Sequence, residues 1–488
     1  MIKTKQVTVL LAVFCCITSL LTIAANTTIT AVGPMQAPTA TDQTSDATDN
    51  MQSQNVVGQI QPAAPRKINQ PSSATDQTSS ATNQPSSATD KPSAATNQPS
   101  ATTDKPSDAT AKNQAGNVYE FDFRKGMPQD GRLSVEVPDG VYRVTVTVGS
   151  RKAAGVTTLR GESRRLFYEN VATAKGEFKT LSFCIHKRNT EIAPGVPVKI
   201  KPREQSKLNW NNTLDLEFSG ACPQVARVRI EPAPEVPVVF LCGNSTVVDQ
   251  DNEPWASWGQ MIPRFFTDEL CFANFAESGE SANTFIGARR LAKILSMIKP
   301  GDYVVAEFGH NDQKQTGEGK GAYLSFWDSM KTFVDSARAH GATPILVTPT
   351  QRRSFDETGH IKDTHKDFPQ ATRDLAAKEG TYLVDLHALT RTLYEAMGVE
   401  ESKKAFVHYP AGSWPGQIKA LADNTHFNPY GAYEVAKCVI EGLKAADVPF
   451  VKCLQPDYAG FDPACPDALD SFVWTPSTFV DMVKPDGN

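Results

Sequence analysis

The chain has 488 residues, 40% of them hydrophobic and 21% charged, and 49 Lys+Arg against 54 Asp+Glu leave a formal charge of −5. That length leaves room for two or three domains. The slight acidic excess speaks against a nucleic-acid binder, which carries a basic excess on the domain concerned, and the composition excludes a fibrous or collagen-like chain.

Lys3 and Lys5 precede an apolar run from Val7 to Ile23, followed by small residues at Ala24 and Ala25. This is the charged, apolar, small-residue order of an export signal, expected to span 1–25. From Ser72 to Asn113 come six heptads of the type SSATDKP, and no aromatic residue stands between Phe14 and Tyr119. The heptads lack large apolar residues for a coiled-coil seam, and Pro85, Pro92, Pro99 and Pro106 would break a helix. Residues 26–116 are therefore expected to form an extended Ser/Thr/Pro-rich tether that cannot bury enough apolar surface to order itself. Seven cysteines follow the signal. Export would permit pairing, with Cys453–Cys465 and Cys184–Cys222 plausible on spacing and at least one left over.

Folding signals begin near Val118. Residues 118–123, 133–137 and 141–148 alternate apolar and polar residues between turn signals, and further short strands are expected around 165–169, 178–186, 213–218 and 226–231. A stretch of strands with no convincing helix predicts a β-sandwich over 117–233. It could hold sugar, with Trp210 and Tyr168 as stacking candidates, or simply pack against the next domain. After Pro232, Pro234 and Pro237, apolar strands at 238–242, 271–275, 303–308, 344–348 and 382–386 alternate with helical stretches near 282–298, 322–340, 367–379 and 429–446. That pattern predicts a five-stranded parallel sheet covered on both faces over 234–452, with a C-terminal extension at 453–488. Sites in such sheets form beyond the carboxyl ends of the strands.

Four blocks stand at those ends: Gly243-Asn244-Ser245, Glu277-Ser278-Gly279, Gly309-His310-Asn311-Asp312 and Asp423-Asn424-Thr425-His426. Together they suit acyl transfer. A serine is a weak nucleophile until a base takes its proton. His426 can do so with one ring nitrogen while Asp423, three residues back on the same loop, fixes the tautomer through the other. The N–H groups of Ser245 and Gly279 and the Asn311 amide can supply an oxyanion hole. The α/β-hydrolase elbow is disfavoured, because the serine does not sit in Gly-x-Ser-x-Gly. Trp255 and Trp258 just beyond it could stack on sugar or pack in the core.

These blocks resemble those of the SGNH (GDSL) hydrolases. The strings LCGNSTVVDQ, FGHNDQK and ADNTHFNPYGA are most similar to the rhamnogalacturonan acetylesterase branch of secreted carbohydrate esterases. The resemblance implies a three-layer, flavodoxin-like α/β domain preceded by the all-β sandwich. It also implies removal of O-acetyl groups from pectic polysaccharide through an acetyl-Ser245 intermediate, without metal or organic cofactor. One departure is Asn244, where the family usually carries Asp. His310, Arg352, Arg353, His365 and His408 are candidates to line the polysaccharide groove, where arginine would suit uronate carboxylates. His360 and His365 lie five apart, but no third ligand of suitable spacing accompanies them, so no metal site is expected. The expected partner is acetylated polysaccharide, met by a secreted, cell-surface or periplasmic monomer that binds no nucleic acid and has no membrane span in the mature chain. The competing readings are an acetylxylan esterase and a non-catalytic sugar-binding protein with a decayed site.

Overall fold

Alternation within the strand Val238–Gly243 sets the layering in the computed structural model, which describes residues 117–128, 130–477 and 484. Val239 and Leu241 join one apolar cluster with Val305, Ile345 and Val347. Val238, Phe240 and Cys242 join another with Val304, Ala306 and Leu346. A strand whose odd and even residues both enter a core is covered on both faces. The first cluster is closed by Trp258–Met261, Leu386–Glu401 and Pro429–Ala445, and the second by Ala282–Gly287, Arg290–Leu295, Trp327–Ala339 and Phe368–Glu379. Burying one such apolar side chain completely contributes roughly 1.5–3 kcal/mol.

Five strands pair in parallel in the order Cys271–Asn274, Val238–Gly243, Tyr303–Glu307, Thr343–Val347 and Tyr382–Val384. The sheet does not stop there. Lys179–Lys187 pairs in parallel with Cys271–Asn274 through Cys184 and Ile185. Beyond it the antiparallel strands Gly140–Val148, Val225–Pro232 and Tyr119–Asp122 complete a nine-stranded mixed sheet. A four-stranded sheet, in the order Arg132–Glu136, Thr213–Cys222, Gly155–Gly161 and Arg165–Thr173, faces the antiparallel half. Between them lies a core containing Val144, Val146, Phe183, Ile185, Leu159, Phe167 and Leu216. The expectation of a sandwich followed by a separate five-stranded sheet is corrected accordingly: one face of the β-rich part and the parallel sheet are a single hydrogen-bonded surface. The strand Gly155–Gly161 and the helix Leu386–Glu401 were not anticipated.

The β-rich part also reaches into the other with a hairpin tip. Between Gly155–Gly161 and Arg165–Thr173 the turn runs through Glu162 and Arg164, both with positive φ (50° and 63°). Left-handed backbone costs a non-glycine residue about 1–2 kcal/mol. Buried ion pairs offset it. Arg164 pairs with Glu253 at 2.6 Å and donates to the carbonyls of Gln250 and Trp255, while Arg165 pairs with Asp249 at 2.8 Å and donates to Phe272 O. Both guanidiniums are inaccessible to solvent.

Trp210 is buried and donates to Glu204, and Tyr168 is half-buried and donates to Ser182 O, so Trp210 is a core residue rather than an exposed platform. The cysteines at 184, 222, 242, 271, 438, 453 and 465 are all free, which removes both pairings suggested by spacing. The C-terminal extension packs where the two parts meet: Trp474 donates to Glu253, Ser477 to Glu217, and Arg160 stacks 4.6 Å from the Trp474 ring centre. Among the described residues no helix is long and apolar enough to cross a membrane. The expected signal (1–25) and tether (26–116) lie outside the described residues.

Arg165→Met leaves the Asp249 carboxylate buried without its cation and should destabilise the fold by about 3–5 kcal/mol. Urea unfolding measures it; a midpoint within error of wild type would show that the pair carries no net weight.

Candidate active site

The turn after Val238–Gly243 is built by side chains that bind its own backbone. Asn244 Oδ1 accepts from Thr246 N at 3.0 Å and lies 2.9 Å from Thr246 Oγ1, an arrangement that tightens a turn as well as a carboxylate would. The departure from Asp therefore preserves the turn, though Asn244 Nδ2 is buried without a partner. Gly243 has no room for a side chain, since a Cβ there would meet Val247 Cγ2 at 2.5 Å. Gln250 Nε2 donates to Ser245 O at 2.9 Å and fixes the turn from the far side.

Ser245 Oγ lies 2.8 Å from His426 Nε2, and His426 Nδ1 lies 2.7 Å from Asp423 Oδ2. Because Nδ1 faces a carboxylate it carries the proton, which leaves the Nε2 lone pair aimed at the serine hydroxyl. Burial pushes the Asp423 carboxyl up, but the bond from His426 Nδ1 and the N–H groups of His426 and Thr425 outweigh it and hold it well below the usual range. The acid and base are not on a loop, as expected, but on the strand Leu421–Phe427, paired with Phe406–Tyr409. The segment is anchored on both sides. Asn428 caps the helix Pro429–Ala445 through Gly431 N, and Arg353 and His408 donate to Asn424 Oδ1 at 3.0 and 2.8 Å.

The loops of Gly279 and Asn311 are tied together. Asn311 Nδ2 donates to Glu280 O at 2.9 Å, and Asp312 accepts from Ala282 N at 2.8 Å and Gly309 N at 2.9 Å. Burial pushes the Asp312 carboxyl up to about 6. Gly279 adopts φ 78°, which a side chain would strain. The amides of Ser245 and Gly279 make no hydrogen bond among the described residues. Two free N–H groups and one amide with a second hydrogen are what a developing oxyanion requires.

The groove candidates separate. His310 and His365 are buried (1% and 0% exposed) and bond to each other at 3.1 Å, so neither lines an open surface; burial, chiefly, holds the His310 imidazole well below its ordinary range. Arg353 is buried and bonds Ser402, Asn424 and Val399, which makes it a support for the Asp-x-x-His strand. Arg352 and His408 are half-buried, with Arg352 donating to His310 O and Thr364. Trp255 and Trp258 are core residues. Sequence reasoning missed Lys314, which donates to Asn311 Oδ1 at 3.3 Å close to Arg352, and Lys484, 3.4 Å from Asp423.

It also missed Glu307, fully buried at the end of Tyr303–Glu307. Its carboxyl takes Trp258 Nε1 at 2.6 Å and Thr350 N at 3.3 Å and lies 3.0 Å from Thr246 Oγ1, so it braces the Ser245 turn from below. The available signal was a glutamate closing an otherwise apolar strand.

Residues 241–432 match the GDSL-like Lipase/Acylhydrolase family. The chain is similar to rhamnogalacturonan acetylesterase RhgT of Bacillus subtilis (strain 168), 42% identical over 213 residues, which are 43% of this chain and 91% of that protein. A probable rhamnogalacturonan acetylesterase of the same organism, YesY, is 29% identical over 219 residues, 44% of this chain and 96% of its own. The crystal structure of Bacillus subtilis YxiM aligns with a TM-score of 0.40 and 23% identity, covering 70% of this chain and 88% of that one.

Burial raises the Glu307 carboxyl from its ordinary 4.5 to about 7. The folded state then holds a proton that the unfolded state has released, so stability falls as pH rises from about 4.5 to 7, by roughly 3 kcal/mol in all. Urea midpoints measured from pH 5 to pH 8 should slope less steeply in Glu307→Gln than in wild type. Parallel slopes would mean that Glu307 is ionised throughout.

Proposed function

The chain belongs to the GDSL-like lipase/acylhydrolase family and is a carboxylic ester hydrolase, and from that premise we propose that it removes acetyl groups from pectic polysaccharide through an acetyl-Ser245 intermediate. The observation that carries the mechanism is the pair of short contacts from Ser245 to His426 and from His426 to Asp423. As Ser245 Oγ attacks the acetyl carbonyl, its proton passes to His426 Nε2. The imidazolium so formed is stabilised by the Asp423 carboxylate, which keeps its own negative charge. The carbonyl oxygen becomes an oxyanion facing the N–H groups of Ser245 and Gly279 and the Asn311 amide. When the tetrahedral centre collapses, the C–O bond to the sugar breaks and His426 protonates the departing hydroxyl. Water, deprotonated by His426, then releases acetate and restores Ser245.

The names of RhgT and YesY support rhamnogalacturonan as the substrate class. The chemistry of the rim agrees. Lys314 beside Asn311, with Arg352 close by, offers positive charge to uronate carboxylates, which acetylated xylan backbones lack. The N-terminal apolar segment and the heptads after it support an exported enzyme on a tether, which suits a polymer too large to enter a cell.

Ser245→Ala should leave the unfolding midpoint near wild type while abolishing acetate release from acetylated rhamnogalacturonan and covalent capture by an organophosphonate; undiminished release would sink the mechanism. Asn311→Ala should lower kcat by about 10²–10³. Across a panel of polymers, kcat/KM should be higher on acetylated rhamnogalacturonan than on acetylated xylan, and the reverse order would reassign the substrate.

A further inference from the structure

Beyond the strands Thr343–Val347 and Tyr382–Val384, two segments gather histidine and carboxylate donors that the esterase mechanism does not use. Asp363 and His365 stand on the loop before the helix Phe368–Glu379, and His387 is the second residue of the helix Leu386–Glu401. One ligand atom from each lies within 4.8 Å of the other two. His360, the partner that spacing offered, is exposed and lies 3.6 Å from Glu395 instead.

The hydrogen bonds around these side chains leave lone pairs pointing inward. His387 Nδ1 lies 3.0 Å from Pro349 O, and a carbonyl only accepts, so Nδ1 carries the proton and Nε2 presents its lone pair, which the Gln351 amide meets. A metal-binding histidine is almost always held in this way, by its second nitrogen on a carbonyl or carboxylate. His365 is wholly buried, its Nε2 is taken up 3.1 Å from His310 Nδ1, and its Nδ1 has no partner. His310 Nε2 in turn lies 3.1 Å from Thr350 Oγ1. If protons run outward along this chain, from His365 Nε2 to His310 and from His310 Nε2 to Thr350, His365 Nδ1 is left as an unprotonated lone pair in a closed space. The Gln351 amide adds a further mismatch. Its nitrogen donates to His387 Nε2 at 2.8 Å, while its oxygen is buried without a partner. Turning that amide over would present the orphaned oxygen at the same place.

One of the three spacings already fits a small borderline cation such as zinc. Nitrogen and oxygen donors about 2.0–2.2 Å from a tetrahedral zinc ion stand roughly 3.4 Å apart. Asp363 Oδ1 and His387 Nε2 are already 3.5 Å apart. Asp363 is half-exposed, so a cation can enter from its side, and its negative charge faces two neutral imidazoles, a donor set that suits zinc over magnesium or calcium.

We propose that Asp363, His365 and His387 bind one divalent transition-metal ion of the zinc class, with Gln351 Oε1 free to become the fourth donor. The ion would clamp the 363–365 loop to the helix Leu386–Glu401. Through His365 and His310 it would steady the loop that carries Asn311, as a positioning element outside the reacting groups. The proposal stands apart from the esterase reading and survives or fails without it.

The full chain, freed of metal by chelation and dialysis, is titrated with Co²⁺ and then with Zn²⁺. The expected result is a visible absorption band typical of four-coordinate cobalt that saturates at about one equivalent and is bleached by zinc. Asp363→Asn, which changes a half-exposed side chain and is checked for folding by circular dichroism, should weaken cobalt binding by about tenfold or more. Zinc should also raise the unfolding temperature of wild type more than that of the variant. A wild-type chain with no saturable band, or a folded Asp363→Asn chain that binds cobalt as tightly as wild type, would overturn the site.

Discussion

Two buried guanidiniums set the terms for the rest of the molecule. Arg164 and Arg165 belong to a hairpin of the β-rich part, yet the carboxylates and carbonyls that bind their guanidiniums lie between Asp249 and Phe272, in the segment that follows Ser245. A guanidinium shut away from water is tolerable only while its carboxylate and carbonyls stay in place. Separating the two parts would strand both cations and leave Asp249 and Glu253 as uncompensated anions. The same segment holds Gln250, which binds Ser245 O, and Trp258, which binds Glu307. The β-rich part thus helps to build the turn that carries the serine.

The site divides its work between groups that would react and groups that hold them. Ser245, His426 and Asp423 form the short chain. Around it, Asn428, Arg353 and His408 secure the strand that brings His426 in, and Asp312 locks the Gly279 and Asn311 loops to each other. Arg353 and His408 were candidates for contact with sugar, and their bonds to Asn424 explain the residue types differently. Asn424 stands next to Asp423, so a donor there controls the aim of the carboxylate.

What the sequence disclosed follows from which interactions are local. Near-continuous apolar runs marked all five parallel strands, because burial on both faces leaves that imprint in consecutive residues. The order serine, glycine, asparagine, Asp-x-x-His marked three loops and the strand Leu421–Phe427, because residue type is what those blocks share with the family. Contacts between distant stretches left no such trace. The pairing of Cys184 and Ile185 with Cys271 and Phe272 fuses two sheets, yet either stretch alone reads as an ordinary strand. Glu162-Ser163-Arg164-Arg165 is wholly polar in sequence, yet its side chains are buried. The strand Gly155–Gly161 was hidden by its terminal glycines and a buried arginine, which break the apolar–polar alternation. The helix Leu386–Glu401 was hidden by a strand assignment that ran on to Leu386, and His387 was overlooked with it.

The fused sheet also determines how force would travel. Tyr119–Asp122 is the outermost strand, at the opposite edge from Tyr382–Val384. Anything that tugs on the chain ahead of Tyr119 therefore loads the ladder to Val225–Pro232 first, then the ladders to Gly140–Val148 and Lys179–Lys187 in turn, before any strain reaches Cys271–Asn274. An anchor placed at that end could be dragged by flow or by a moving polymer while the serine, its base and their supports stayed in register. The antiparallel half lies between that edge and the parallel strands at whose ends Ser245 and Asn311 stand.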